Sequence, residues 1–201
     1  MIGSRARLLR NPGFCRLGGD LEGHLESWIK SSSPTNLAAL LDPVSIALLR
    51  ESFVKIGGCE GTVWLADEDE RNLVAVYNSG SDAGSLVGFE QPVGSGIISL
   101  VYAQQQPYCE NDIGGSRGHD DTLDRKIEKH TTAMIAVPFY FAFGLRGVIS
   151  CVQLEEDETG GEQSGFSSSE VEVLSRTVNV VGRLIDETLL STALGINDGG
   201  S

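Results

Sequence analysis

Four cysteine thiols are the side chains of this chain with the most reactive chemistry. Cys15, Cys59, Cys109 and Cys151 are scattered along the 201 residues, and no two of them have the Cys-x-x-Cys spacing. That spacing is typical of structural zinc sites and thioredoxin-like redox pairs, so the sequence predicts neither a metal site nor such a pair. The pattern favours free thiols in a reducing cytoplasm.

A glycine turn offers a second kind of chemistry, which is ligand recognition by backbone groups. The run Pro92-Val93-Gly94-Ser95-Gly96-Ile97 is typical of a strand that ends at a turn and continues into a short helix. The first N–H groups of such a helix have no partner within it, so they can receive an anion or a carbonyl oxygen. The two glycines are equally well explained by the chain reversal alone. The sequence leaves both interpretations open.

The polar stretch from residue 110 to residue 129 is the other segment with binding potential. It is acidic, interrupted by glycines and too long for an ordinary connection. The run that follows, Met134-Ile135-Ala136-Val137-Pro138-Phe139, is typical of a buried strand. This order predicts a pocket covered by a lid loop.

Composition argues against several other functions. The chain has 15 basic and 28 acidic residues, and its formal net charge of −13 would repel a nucleic acid backbone. Its apolar runs are far shorter than the roughly 18 residues of a membrane span. The metalloprotease motif His-Glu-x-x-His and the P-loop are absent from the sequence. Nucleic acid and membrane are therefore not expected as partners.

The elements that position these segments are predicted from periodicity and turn signals. Asp42 followed by Pro43 predicts the start of a helix that ends at Gly57-Gly58. Shorter helices are predicted over 20–31, 37–41 and 96–104, and strands over 62–66, 73–78, 87–93, 133–141 and 147–154. The predicted class is α/β, more closely α+β. It has a central antiparallel sheet of five to six strands, N- and C-terminal helices on one face, and a pocket with a lid loop on the other.

A long helix closes the chain. Ser167 and Glu170 form a capping box at its start, and Phe166 packs as a hydrophobic staple against Val171. An apolar stripe then follows at three- and four-residue spacing, through Val171, Leu174, Val178, Val181, Ile185 and Leu189. The stripe either covers the sheet alone or is shared with a second subunit.

The order of these elements resembles a GAF domain, a small-ligand sensory and regulatory module. The likeness divides the chain into a flexible tail over 1–19, an N-terminal helix over 20–34, a GAF-like domain over 35–191 and a flexible tail over 192–201. The motifs that carry it are Pro92 to Ile97, the Asn111-Asp112 pair that opens the lid, Leu123 to His130 as a lid helix, Met134 to Pro138, Arg146-Gly147-Val148-Ile149, and Phe166 with Glu170.

The resemblance implies a cytoplasmic sensory domain that binds a small molecule non-covalently, with no required cofactor. It also implies signalling through terminal helices that form a homodimer and through a downstream effector domain. The ligand-binding residues that it implies are Phe89, Ile97, Asp112, Asp124, Met134 and Ala136. The ligand itself is not identified.

Departures from the family's patterns weigh against some ligands. Cyclic-nucleotide binders have Asn-Lys where this chain has Gln153-Leu154, and the loss of Lys removes an ion pair between strand and helix. The lid has no cysteine for a covalent bilin. A haem could use His119 or His130, but surface histidines are more common than ligands.

Two alternatives stay open beside the sensor. Free methionine sulfoxide reductases resemble this domain and use a thiolate that a second cysteine regenerates. This chain has Ile98 where their pocket helix has a cysteine, so Cys109 is the alternative catalytic residue. The other alternative is a purely structural dimerisation module without a ligand. The sequence favours the non-catalytic sensor.

Overall fold

The computed structural model describes residues 12–113, 130–155 and 165–193, with side chains described from residue 18 onward. Within these ranges the helices are α1 (Pro12–Lys30), α2 (Pro34–Ala38), α3 (Pro43–Lys55), α4 (Ala83–Leu86), α5 (Gly96–Gln104) and α6 (Ser168–Ala193). The strands are β1 (Glu60–Ala66), β2 (Asn72–Asn78), β3 (Glu90–Pro92), β4 (Tyr108–Glu110), β5 (Thr131–Phe141) and β6 (Gly144–Leu154).

The strands form one six-stranded sheet in the order β3-β2-β1-β6-β5-β4, and every neighbouring pair is antiparallel. The long strands β5 and β6 lie between β1 and β4 and pair through a tight hairpin. The predicted antiparallel sheet and its mixed class are confirmed.

Capping residues define the helix starts. The carboxylate of Asp42 accepts the N–H of Ser45 at 2.6 Å, and this hydrogen bonding lowers the pKa of Asp42. Pro43 takes the first helical position, as predicted. Ser33 and Pro34 start α2 in the same way, so the cluster that the sequence marks as the end of one helix also begins the next.

Several boundaries differ from the predicted ones. The short helix α4 occupies part of the predicted loop, and β3 therefore begins at Glu90 rather than at residue 87. Strand β4 is absent from the prediction because three residues carry too little periodicity to be recognised. Helix α1 begins at Pro12 rather than at residue 20. The lid helix at 123–129 lies outside the described residues.

Helices α1, α2, α3 and α6 cover one face of the sheet. We call the buried cluster between them the helix-side core; it includes Phe53, Ile135, Phe139, Ile149 and Leu174. The apolar stripe of α6 faces this core within a single copy of the chain. A Cβ at Gly182 would lie 2.2 Å from the Tyr140 carbonyl oxygen, so only glycine lets α6 pack this closely on β5.

A second buried cluster lies on the opposite face, and we call it the glycine-turn face. Its buried members are Trp64, Leu73, Ala75, Leu86, Ile97, Ile98, Val101, Ile113, Met134, Ala136 and Val148. Helices α4 and α5 pack here, whereas the N- and C-terminal helices lie on the other side, as predicted. None of the described helices combines the length and apolar character needed to cross a bilayer.

Candidate functional site

The glycine turn forms as the sequence predicts, between β3 and α5. Gly94 has φ +106° and Gly96 has φ +72°, and side chains other than glycine rarely adopt such values. The N–H of Ser95 donates to the carbonyl of Pro92 at 3.2 Å and closes the turn. The chain reversal therefore explains both glycines directly.

Two buried polar side chains brace this turn. The amide of Gln91 donates to the carbonyl of Ser95 at 2.8 Å, and the hydroxyl of Ser99 donates to the carbonyl of Pro92 at 3.0 Å. Gln91 is 6% exposed and Ser99 is 1% exposed, so each would be costly to bury without its bond. These bonds hold the start of α5 firmly against the sheet.

Four of the six predicted ligand residues come together on the glycine-turn face. Ile97, Met134 and Ala136 are buried in the cluster, and Phe89 packs partly buried against it. The ring of Phe89 meets Trp64 edge to face, with centroids 6.4 Å apart.

The two predicted acidic ligands are placed differently. Asp112 is exposed, immediately before Ile113, which is buried on the glycine-turn face. Asp124 lies outside the described residues.

A row of polar side chains crosses the same face, and sequence reasoning missed it. Asn78, Thr62 and Ser150 are neighbours on adjacent strands, and the Asn78 amide donates to the Thr62 hydroxyl at 2.9 Å. The indole N–H of Trp64 donates to the Ser150 hydroxyl at 3.1 Å. The sequence signal that could have predicted this row is the presence of polar residues at alternate positions of strands that are otherwise apolar.

Edge strand β4 adds a tyrosine and a carboxylate beside this row. Tyr108 packs against the glycine-turn cluster, and its hydroxyl donates to Glu110 Oε2 at 3.2 Å. Burial and the Glu110 charge raise the pKa of Tyr108. The other oxygen of Glu110 accepts the N–H of Asn111 at 3.0 Å and that of Asp112 at 3.3 Å. The carboxylate is thus held in a defined position.

The elements of this face carry almost no positive charge. Residues 72–113 contain no Lys, Arg or His, but they contain Asp82, Glu90, Glu110 and Asp112. Among all six strands the only Lys or Arg is Arg146, and it pairs with Glu26 of α1. Such a face repels anions.

Cys109 lies on the side of the sheet away from this face. Its cross-strand neighbour is Ile135 of the helix-side core, and Cys109 packs against that core. Burial raises the pKa of the Cys109 thiol, and the nearby carboxylates of Glu110 and Glu170 raise it further. Cys109 is therefore poorly placed to attack a ligand beside Met134, and a thiol is not a strong nucleophile.

The other described thiols also lie apart from the glycine-turn face. Cys151 is fully buried in the helix-side core, and burial raises its pKa to about 12. Cys59 is exposed, and none of the three described cysteines is bonded in a disulfide. The described residues contain no group of three or more His, Cys, Asp or Glu side chains that could hold a metal ion.

An open groove of about 620 Å³ lies elsewhere, between α1 and the β5–β6 turn. Its lining includes three glutamates, Glu22, Glu26 and Glu70, together with Arg146 and the exposed ring of Phe143. Of the predicted ligand residues that the structure describes, none lines it.

Comparisons with known proteins bear on the fold. A scan of protein-family models finds no match, and neither does a comparison with curated protein sequences. Solved structures do match. The GAF domain of a phosphoenolpyruvate-protein phosphotransferase from Coxiella burnetii is similar with a TM-score of 0.57 and 18% identity, covering 88% of this chain and 95% of that one.

Two further structures extend the likeness. A GAF domain/HD domain protein from Geobacter sulfurreducens gives a TM-score of 0.58 at 18% identity, covering 77% of this chain and 98% of that one. A type II free methionine-R-sulfoxide reductase from Thermoplasma acidophilum gives a TM-score of 0.53 at 15% identity, covering 83% of this chain and 96% of that one. Together with the six-stranded sheet and its two differently covered faces, these similarities show that the chain has the GAF domain fold.

Proposed function

We propose that this chain is a cytoplasmic sensory domain that binds a small molecule non-covalently at the glycine-turn face and signals through its terminal helices. The observation that carries the proposal is that the buried residues form two separate clusters, one on each face of the sheet. The helix-side core is built by the long helices, whereas the other face gathers Phe89, Ile97, Met134 and Ala136 around a braced glycine turn.

Charge favours a neutral or cationic ligand over an anion. The described elements of this face contribute carboxylates and aromatic rings, and the guanidinium group of Arg146 on β6 is paired with Glu26. Trp64, Phe89 and Tyr108 offer apolar and π surface, while the Ser150 hydroxyl and the Glu110 carboxylate can orient polar atoms. Non-covalent binding agrees with the placement of Cys109 on the other side of the sheet.

Signalling through a homodimer forms the second part of the proposal. Because the apolar stripe of α6 is buried within one copy, a dimer would use the outer faces of the terminal helices. Trp28 of α1 is 42% exposed and Val180 of α6 is 48% exposed. Light scattering of the purified chain over a wide concentration range tests this part, and a monomer at all concentrations contradicts it.

A thermal-shift screen of small molecules tests the sensing part. Ala136→Val fills space on the glycine-turn face, and Ala133→Val is its matched control because Ala133 lies on the same strand in the helix-side core. We expect hits from neutral or cationic compounds, and we expect Ala136→Val but not Ala133→Val to weaken them.

Native mass spectrometry of freshly purified protein complements that screen, because a co-purified molecule would report its own mass. The sensing proposal fails if no compound shifts the melting temperature and no small molecule co-purifies.

The alternative of a purely structural module is supported by the close packing of the glycine-turn face. Trp64, Ala136 and Val148 are at most 1% exposed, as in an ordinary core. If this face only stabilises the fold, Ala136→Val and Ala133→Val should change the free energy of unfolding and nothing else. The thermal-shift screen should then give no hits.

A thiol-dependent reductase is the enzymatic alternative, and solved reductases share the fold. It predicts turnover of free methionine sulfoxide that Cys109→Ser abolishes. The raised pKa of Cys109 and its position among helix-side residues weigh against this reading. A wild-type chain without turnover excludes it.

A further inference from the structure

One asparagine joins the end of β4 to the start of α6. The side-chain amide of Asn111 donates to the carbonyl of Phe166 at 2.8 Å, and the N–H of Phe166 donates to Asn111 Oδ1, also at 2.8 Å. A single carboxamide thus satisfies both backbone groups of a residue 55 positions away along the chain. We call this pair of hydrogen bonds the Asn111 clasp.

The chain next to the clasp is shaped for it. Gly165 has φ +72°, and a Cβ there would lie 2.7 Å from both Cγ and Oδ1 of Asn111. Any larger residue would therefore collide with the carboxamide as well as strain the backbone. The thiol of Cys109 lies 3.7 Å from the carbonyl of Phe166 and adds a weak contact to the same group.

On one side the clasp connects to the glycine-turn face. Glu110 accepts the backbone N–H of Asn111, and Tyr108 donates its hydroxyl to Glu110. Tyr108 packs in the cluster with Met134. A ligand that moves Tyr108 or competes for Glu110 therefore disturbs the backbone that carries Asn111.

On the other side the clasp connects to the cap of α6. Phe166 is 4% exposed and immediately precedes Ser167. The Ser167 hydroxyl donates to Glu170, the N–H of Ser167 donates to it at 2.8 Å, and these two bonds lower the pKa of Glu170. A shift of Phe166 therefore alters the first turn of a helix that runs to Ala193.

We propose that the Asn111 clasp transmits the state of the glycine-turn face to helix α6. This inference rests on the proposed function, since it names the route by which that face would signal. The clasp links α6 to β4, the strand at the edge of the sheet. Coupling of this kind is measurable as non-additivity between two sites.

Hydrogen exchange on the 201-residue chain tests the clasp without any ligand. The readout is the exchange rate of the amides of residues 171–175, in the first turns of α6. Glu110→Gln perturbs the glycine-turn side, and Asn111→Ala removes both bonds of the clasp. We expect Asn111→Ala to speed this exchange about tenfold and Asn111→Asp, which keeps one acceptor, to speed it about threefold.

The decisive comparison is Glu110→Gln in two backgrounds. In the otherwise wild-type chain we expect it to speed exchange in α6 about threefold, and in Asn111→Ala to have no further effect. Glu90→Gln is the matched control, an exposed carboxyl on β3, and should leave α6 unchanged in both backgrounds. Circular dichroism establishes that each variant is folded, and Asn111→Asp supplies the milder change if Asn111→Ala unfolds.

The proposal is overturned if Glu110→Gln speeds exchange in α6 equally in both backgrounds, or in neither. It is also overturned if Asn111→Ala leaves that exchange unchanged. Failure of the ligand screen alone would instead remove the sensing function while the measured coupling between β4 and α6 stood. The two failures are therefore distinguishable.

Discussion

At the scale of single residues, the three described cysteine thiols occupy three different environments. Cys59 is exposed, Cys109 is partly buried beside carboxylates, and Cys151 is fully buried. Because the thiolate is the reactive species, a raised pKa slows alkylation at neutral pH. We expect iodoacetamide to modify Cys59 first, Cys109 more slowly and Cys151 only on unfolding, as followed by peptide mass spectrometry.

The pH dependence of alkylation at Cys109 has a definite sign. Raising the pH toward the raised pKa of Cys109 increases its thiolate fraction, so its alkylation rate should rise between about pH 7 and pH 9. Faster reaction at Cys109 than at Cys59 at neutral pH would contradict the placement of the Cys109 thiol. Such a result would also support the interpretation of the chain as a thiol-dependent reductase.

At the scale of elements, the β5–β6 turn uses unfavourable residues. Ala142 has φ +46° and Phe143 has φ +65°, although two-residue turns of this shape favour Asn-Gly. Neighbouring side chains hold the turn: Asp186 of α6 accepts the N–H of Ala142, and Arg146 donates to the Ala142 carbonyl at 2.8 Å. The hairpin is thus held by α6 and by its own arginine rather than by turn preference.

Replacing Phe143 with glycine should therefore stabilise the protein. The ring is 63% exposed, so little packing is lost while the left-handed backbone is relieved. We expect Phe143→Gly to raise the free energy of unfolding by about 1 kcal/mol in urea titrations. Val87→Gly is the control at an exposed residue with φ −61°, and it should lower that free energy. Loss of stability in Phe143→Gly would show that the ring contributes more than its exposure indicates.

At the scale of the whole molecule, the decisive feature is the surface against which the apolar stripe of α6 packs. Leu174 is 0% exposed in the helix-side core, whereas Val180 faces outward. We expect Leu174→Ala to lower the free energy of unfolding by about 2–5 kcal/mol, independently of protein concentration. Val180→Asp should cost less than about 0.5 kcal/mol in the monomer and act only on the proposed dimer.

Urea unfolding at two protein concentrations, with light scattering, separates these effects. A Leu174→Ala cost that grows with protein concentration would mean that the stripe is a subunit seam and not a cover for the sheet. A large cost of Val180→Asp in a monomeric sample would likewise contradict the assigned faces.

Local signals in the sequence account for much of the architecture. Asp42-Pro43, the glycine turn and the capping box at Ser167 each act within a few residues, so they predict where a helix begins without knowledge of the rest of the chain. The strands with long apolar runs were predictable for the same reason. Strand β4 was not, because three residues at a sheet edge form a strand only when β5 supplies the hydrogen bonds.

The same distinction between local signals and tertiary pairing applies to the candidate site. By itself the sequence determined the elements, the glycine turn, the negative charge and the presence of Phe89, Ile97, Met134 and Ala136. Only the tertiary structure decided which face each side chain joins, because strand register sets that parity and register depends on pairing between segments far apart in the chain. That register brings four predicted residues together, turns Cys109 toward the helices, and places Asn111 against Phe166.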